Sequence, residues 1–217
     1  QEHHEALALR QPAAGEAPTP ELALSYLNLT SLARRGEHPE TALALADQSL
    51  ATFTAILGAD HPLLWKPHRN LANVLLTLGR TTEARAELER AITLAGASLG
   101  PGHGAVGQMQ YTLATSYIDD DPERARTLAT AALAIYVREL PDSSPLRVQP
   151  LELLGQIHTD RNEPARALPY RQEALRRRLH AGPEHRAYAH IELAATLKEL
   201  DRADEAEGHI LLAEALL

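Results

Sequence analysis

Histidine is the side chain in this sequence best suited to metal binding or acid–base catalysis, but its spacing supports neither. The chain has eleven histidines and no cysteine, which excludes disulfides, thiolate zinc sites and a catalytic thiol. His185 and His190 are five residues apart, whereas two ligands on one helix face need a separation of three or four. The sequence also lacks a His-Glu-x-x-His motif, a phosphate-binding loop, a nucleophile elbow and a kinase signature. A metal-dependent or nucleophilic enzyme is therefore a poor interpretation.

The element that must position any functional side chain is a helix–turn–helix unit. Leu71 and Leu75 recur at helical spacing in its first half, and alanines recur in the same way in its second half. Gly79 lies between the two halves and is followed by Thr81, so a helix stop precedes a helix start. A unit of this size cannot bury its own apolar stripe, and it therefore has to stack on copies of itself.

Five copies of this unit follow one another. The first helices share a leucine, at Leu29, Leu71, Leu113, Leu154 and Leu193, with spacings of 42, 42, 41 and 39 residues. The second helices share an early alanine, at Ala42, Ala84, Ala125, Ala167 and Ala206. Small side chains at fixed places let helices pack closely. We expect the end of a truncated preceding repeat and a loop at residues 1–18, then repeats at 19–60, 61–102, 103–143, 144–182 and 183–217, the last truncated.

Single residues within this repeat frame carry local predictions. Pro67 and Pro150 predict that helices begin or kink near them, because a proline in mid-helix is costly. His61 and His103 are expected in loops just before helices. His158 is expected between packed helices as a partly buried, hydrogen-bonded imidazole rather than as a metal ligand.

The composition favours an all-α protein and argues against nucleic-acid and membrane partners. Of the 217 residues, 44% are apolar and only 4% aromatic, and no alternating β-branched runs predict strands. The net charge of -8 argues against a sequence-independent nucleic-acid binder, which needs a basic face. No apolar run approaches the length of a membrane span, and no charged-then-apolar leader is present. We therefore expect a cytoplasmic protein with no nucleic-acid or membrane partner.

The repeat resembles a tetratricopeptide repeat. The residues that carry the resemblance are Leu71-Ala72, Gly79, Glu83-Ala84 and Ala91-Ile92. The usual period is about 34 residues, and the longer period here, with Leu57-Gly58 and His61-Pro62 before Leu71, is similar to the repeats of kinesin light chain and its bacterial relatives. The resemblance implies an α–α superhelix whose first helices line a concave groove, and it implies that this groove binds a peptide or partner segment.

Within that resemblance, the phase of the shared leucine predicts which side chains face the groove. They are Asn28, Ser31, Lys66, Arg69, Asn70, Asn73, Gln108, Thr112, Thr115, Gln149, Gln156 and Tyr188. Amide groups can bond a peptide main chain, and the cations beside them can hold an anionic side chain or terminus. Asn28, Asn70, Lys66 and Arg69 therefore predict a clamp for an acidic peptide or a free carboxylate near repeat 2. Later repeats would not favour an acidic ligand, because they carry Glu152 and Glu192.

Three alternatives to a groove-binding scaffold stay open. The chain could be a regulatory arm of a larger bacterial signalling enzyme, such as a serine/threonine kinase or an NTPase regulator. A basic convex face could dock an acidic neighbour, because residues 161–186 hold seven arginines against three glutamates. Its members would be Arg171, Arg176, Arg177 and Arg178. The ends of the stack could also associate with one another.

Overall fold

A computed structural model describes residues 18–35, 39–178 and 181–217. The predicted leading segment, up to residue 17, lies outside this part of the chain. The described residues form ten α-helices and no strand, which confirms the all-α prediction. The helices are α1 Pro20–Arg35, α2 Pro39–Leu57, α3 Trp65–Thr77, α4 Thr81–Leu99, α5 Gly104–Ser116, α6 Pro122–Glu139, α7 Val148–Asp160, α8 Pro164–Arg177, α9 Pro183–Glu199 and α10 Ala203–Glu214. None of these helices is both long and apolar enough to cross a membrane.

Consecutive helices pack against each other in pairs: α1 with α2, α3 with α4, α5 with α6, α7 with α8, and α9 with α10. The chain divides into two compact units, which we call unit 1, ending at Pro101, and unit 2, beginning at Gly102. In unit 1, α3 packs against both α1 and α2. In unit 2, α7 packs against α5 and α6, and α9 packs against α8. Each pair therefore covers the apolar stripe of a neighbouring pair.

Alanine makes these contacts close. The five early alanines of the second helices have no solvent exposure: Ala42, Ala84, Ala125, Ala167 and Ala206 are each 0% exposed. Leucines supply the larger side chains of this packing. Leu113 and Leu154, for example, are 2% and 0% exposed. A small residue against a large one lets two helices interdigitate at a short distance. The early alanines and four of the five shared leucines therefore lie in the core, and Leu29 is partly buried.

Three of the turns inside the helix pairs share one geometry although their residues differ. Gly79, Asn162 and Asp201 have φ values of 72°, 57° and 59°, in the left-handed region. In each turn the next residue's N–H bonds a carbonyl near the helix end, as Arg80 N does with Leu75 O at 2.9 Å. Asn162 and Asp201 tolerate this backbone because their short polar side chains make left-handed φ less costly than for other non-glycine residues.

The positions of several prolines and of two histidines are explained by the starts of the helices that follow them. A short 3₁₀ turn, Pro62–Leu64, leads into α3 at Trp65, so Pro67 lies in the first turn, where a missing N–H is tolerated. This confirms the predicted start. His61 Nδ1 accepts a hydrogen bond from Leu63 N at 3.2 Å, and His103 Nδ1 accepts one from Ala105 N at 3.1 Å. Both histidines are caps in loops, as predicted.

Candidate functional site

The predicted binding residues of unit 1 all lie on α1 and α3 and are at least partly exposed. They are Asn28, Ser31, Lys66, Arg69, Asn70 and Asn73. Lys66, Asn70 and Asn73 follow one another at intervals of four and three residues, which places them on one helix face. We call the exposed side of α1 and α3 that carries these residues the unit 1 face.

Asn70 connects the two helices of the unit 1 face. Its Nδ2 donates to Leu27 O and to Ser31 Oγ, both at 3.3 Å. The structure therefore brings Ser31 and Asn70 together. Both amide hydrogens of Asn70 are used in this packing, so the side chain offers a ligand only its carbonyl oxygen. Asn28 is exposed and Asn73 is half-buried, and these two amides supply the remaining donors.

An aromatic ring supports the two cations of the unit 1 face. Lys66 Nζ lies 5.6 Å from the centre of the Trp65 ring, and Arg69 Cζ lies 5.2 Å from it. Both distances are within the range of a cation–π contact. Trp65 itself is 7% exposed. Sequence reasoning missed this residue, although its place directly before Lys66 and one turn before Arg69 was a usable signal.

Neither cation has a carboxylate partner within the described ranges. Burial lowers the pKa of Arg69, and its Nε has no hydrogen-bond partner there. A guanidinium and an ammonium held over one ring, without a neutralising acid, make a local excess of positive charge. Such a place is favourable for an anionic group of a ligand.

In unit 2 the predicted binding residues lie on α5, α7 and α9. They are Gln108, Thr112 and Thr115 on α5, Gln149 and Gln156 on α7, and Tyr188 on α9. The two threonines bond their own helix: Thr112 Oγ1 donates to Gln108 O at 3.1 Å, and Thr115 Oγ1 donates to Thr112 O at 2.8 Å. Their donors are therefore occupied, whereas the three glutamine side chains are exposed.

Tyr188 is the large exposed side chain of this set, at 53%. Partial burial, followed by the charge of Glu192 and a hydrogen bond to it, raises the pKa of Tyr188. The neutral phenol is therefore the form present at physiological pH. It presents a flat apolar surface with one polar end, which suits a binding surface.

The two glutamates of α7 and α9 that were expected to disfavour an acidic ligand are each paired with an arginine. Glu152 Oε1 lies 2.6 Å from Arg178 Nη2, and Glu192 Oε2 lies 2.6 Å from Arg171 Nη2. Arg171 is 6% exposed. It was predicted on an exposed basic face, and the structure corrects this: the side chain lies across Gly155, where an added Cβ would be 2.9 Å from its Cδ and Nε.

The other two arginines of the predicted basic face are also paired. Arg176 contacts Glu173, and Arg177 lies 2.6 Å from the same side chain. Arg177 also donates to Asp142 O at 2.8 Å. Only Arg176 of the four is mostly exposed. The four arginines are thus paired with three glutamates, and they do not form one continuous exposed basic patch.

Two histidines of unit 2, His158 and His190, each contact a second titratable side chain. His158 is 7% exposed, with Nδ1 2.8 Å from Glu163 Oε2, which confirms the predicted buried imidazole. His190 Nδ1 lies 2.9 Å from His209 Nδ1, a pair that the sequence did not reveal. Burial, then His209 and Arg186, lower the pKa of His190. The described residues contain no group of three or more side chains able to hold a metal ion.

Helix pairs stacked through small residues define a helical-repeat protein. The family model of the tetratricopeptide repeat matches residues 21–95 and 63–138. These matches together cover more than half of the sequence, and the chain belongs to the tetratricopeptide repeat family. No curated protein matches it.

Solved structures share this fold over nearly the whole chain. BtubC (BKLC) from P. vanneervenii is 22% identical, with a TM-score of 0.81 over 99% of this chain and 86% of that one. A putative kinesin light chain from Podosopora anserina is 19% identical, with a TM-score of 0.77 over 91% and 96%. YrrB, described as a TPR protein with an unusual peptide-binding site, is 16% identical, with a TM-score of 0.62 over 100% and 92%. At these identities the likeness shows the fold alone.

Proposed function

We propose that this chain is a non-catalytic interaction module that binds a peptide or partner segment along its first helices. The tetratricopeptide fold supports a protein or peptide partner in general, and the peptide-binding site of YrrB shows that a similar fold can take such a ligand. Exposed amides on the first helices suit an extended main chain, because they can donate to its carbonyls and accept from its N–H groups.

The unpaired cations of the unit 1 face carry the proposal. Lys66 and Arg69 lie over Trp65 without a carboxylate among the described residues, while Asn28 and Asn73 leave their amides accessible. A carboxylate of the ligand would supply the missing negative charge, through charge-assisted hydrogen bonds that are stronger than neutral ones. The proposed ligand is therefore a peptide with an acidic side chain or a free carboxyl terminus.

The test is selection of a random peptide library displayed with free carboxyl termini, followed by affinity measurement in solution. Selected peptides are expected to contain an acidic residue or to depend on the terminal carboxylate. Lys66→Gln removes the charge while keeping an amide of similar length. We expect it to weaken binding by about tenfold, as the loss of one charge-assisted contact would. Fluorescence anisotropy with a labelled peptide measures this change.

Lys198→Gln is the matched control, because Lys198 is the other lysine of the chain and is also exposed. It changes the net charge equally and should leave the affinity unchanged. Asn70 is avoided as a probe, since removing its amide would disturb the contact with α1. Helicity and melting of each variant are checked first. Equal binding by the Lys66 variant and wild type, or no selected peptide at all, contradicts the proposal.

Two further predictions depend on the rest of the natural protein and on its concentration. A regulatory arm of a larger bacterial signalling enzyme would use the same binding step and differ in the attached domain, which the flanking gene sequence would reveal. Self-association through the ends of the stack would appear as concentration-dependent mass in sedimentation. The cytoplasm is the expected compartment.

A further inference from the structure

A slot beside α8 in unit 2 lies apart from the residues of the proposed peptide site. Its volume is about 640 Å³, which is within the range of small-ligand pockets. Its lining includes Leu151 and His158 of α7 and Tyr170 of α8, which we call its floor, and Ala165 and Pro169 of α8, which we call its wall. We call this feature the α8 slot.

The floor of the α8 slot is flat and largely apolar. The rings of His158 and Tyr170 are stacked, with centroids 5.7 Å apart and planes 7° from parallel. The His158 Nδ1 contact with Glu163 fixes the imidazole, so the stack cannot turn freely. A rigid aromatic surface beside a leucine favours an apolar side chain of a ligand, because burying both surfaces removes them from water.

Contacts at both ends of α8 fix the position of this helix, which lines the slot. Before the helix, Arg161 Nη1 lies 2.7 Å from Glu123 Oε1 on α6. At its other end, Arg177 donates to Asp142 O at 2.8 Å. These contacts connect the two ends of α8 to α6 and to the loop between α6 and α7. A preformed site of this kind does not require ordering when a ligand binds.

The outermost charges around the α8 slot are positive. Arg166, Arg176 and Glu173 line it, and the side chains of the two arginines are 70% and 72% exposed. The acidic partners of these arginines, Glu163 and Glu173, are only 26% and 23% exposed. A molecule that approaches the slot therefore meets guanidinium groups before it meets the carboxylates.

The wall of the α8 slot also carries a main-chain hydrogen-bond acceptor, the carbonyl oxygen of Ala165. Pro169 lies inside α8 and has no N–H, so the Ala165 carbonyl lacks the donor that the fourth following residue normally supplies. Both residues line the slot and are exposed. The carbonyl can accept a hydrogen bond from a ligand, and a peptide N–H is the donor that every segment of a protein chain carries.

We propose that the α8 slot docks an acidic segment of a partner protein. An apolar side chain of the segment rests on the His158–Tyr170 floor, its carboxylates pair with Arg166 and Arg176, and a main-chain N–H donates to Ala165 O. The site is separate from the unit 1 face, because its lining residues belong to α7 and α8 and include none of the predicted groove residues.

The test uses three synthetic nine-residue peptides with blocked ends. The first has a central phenylalanine flanked by aspartate and glutamate, the second replaces the acids by asparagine and glutamine, and the third replaces the phenylalanine by alanine. Each is titrated into the isotopically labelled full chain and followed by NMR. We expect the first to shift the signals of Ala165 and Tyr170, with an affinity about tenfold above that of either variant peptide.

Two protein variants locate the contact. Arg166→Gln/Arg176→Gln should weaken binding of the acidic peptide by about tenfold. Its matched control is Arg80→Gln/Arg202→Gln, which removes two arginines that are likewise paired three residues away but lie outside the slot. Ala165→Trp fills the slot at an exposed position and should abolish binding. Ala86→Trp, at an exposed position of α4, is its control.

Each other outcome overturns the proposal. Equal binding of the acidic and amide peptides would show that the arginines do not select the segment. Shifts outside the slot, or no shift at millimolar peptide, would show that it is not a docking site. Inorganic phosphate or a mononucleotide that shifts the same signals more strongly than the peptide would make the slot a small-anion pocket. A short oligonucleotide that does so would point to nucleic acid.

Discussion

Arg171 is buried because its charge has a partner, although its sequence context suggests a solvated side chain. It stands in a helix with several other arginines, and arginines are mostly exposed in folded proteins. Its partner Glu192 is 21 residues away on the next helix, at 2.6 Å. Nothing in the local pattern reveals this pairing, because it depends on the gap above Gly155 and on how α8 and α9 pack.

The unit 1 face shows the same limit for binding residues. The phase of the leucines predicted that Lys66, Asn70 and Asn73 lie on one side of α3. In the structure Lys66 is exposed, and the two asparagines are partly buried. The phase could not predict that both amide hydrogens of Asn70 are committed to α1. It also missed Trp65, because a periodicity argument treats an aromatic residue at a core position as packing alone.

The His190–His209 pair predicts a stability that falls in acid. A lowered pKa of His190 means that the folded state binds fewer protons than the unfolded state near the ordinary histidine pKa of about 6.5. Stability then rises with pH through this range and is lost as the pH falls below it. Urea unfolding of wild type at pH 7.5 and at pH 5.5, both chosen to lie about one unit from 6.5, measures the change.

His190→Asn is the informative variant for this pair. Its amide group can replace Nδ1 in the contact with His209 as either donor or acceptor, but it does not take up a proton in this pH range. The variant should therefore lose less stability than wild type between the two pH values. His185→Asn, at an exposed position of the same helix, should follow the wild-type profile. An identical pH dependence of wild type and the His190 variant would exclude the pair as its source.

At the scale of elements, helices were predictable and turns only in part. Leucine and alanine recur with the period of an α-helix, and all five early alanines and four of the five shared leucines are buried, whereas Leu29 is partly buried. Gly79 was recognised as a turn because glycine is the usual left-handed residue. Asn162 and Asp201 adopt the same backbone, but both residues also occur at helix starts and in other turns, so their identity alone did not specify the geometry.

The left-handed turns predict opposite effects for two substitutions. Asp201→Gly should stabilise the chain by about 0.5–1 kcal/mol, because glycine removes the cost of a positive φ. Gly79→Ala should destabilise it by about 1 kcal/mol or more, since alanine cannot adopt this φ without strain. Denaturant unfolding measures both. A loss of stability in the Asp201 variant would mean that its carboxylate makes a contribution larger than the strain.

At the scale of the whole molecule, stability in a repeat protein is mostly a sum of each pair and its neighbours. Leu88 is 0% exposed and lies in α4. Leu88→Ala should destabilise the α3–α4 pair by about 2–5 kcal/mol, since it removes buried methylenes and leaves a cavity. Its effect on distant pairs should be smaller.

Hydrogen exchange measured by peptide mass spectrometry tests this expectation. The loss of protection in the Leu88 variant should be greatest in α3 and α4 and should decline toward α9 and α10. Leu63→Ala, at a side chain that is 47% exposed, should change little anywhere. A uniform loss of protection along the chain would show instead that all the pairs unfold as one cooperative unit.

The crossing of Arg171 over Gly155 also has a consequence for how this sequence can change over generations. A side chain at position 155 would displace Arg171, and a lost Arg171 would leave the Glu192 carboxylate without its buried counter-ion. Mutations at the three positions are therefore tolerated together more readily than singly. Among homologues, we expect glycine, arginine and glutamate at these places to be inherited as a set and to disappear as a set.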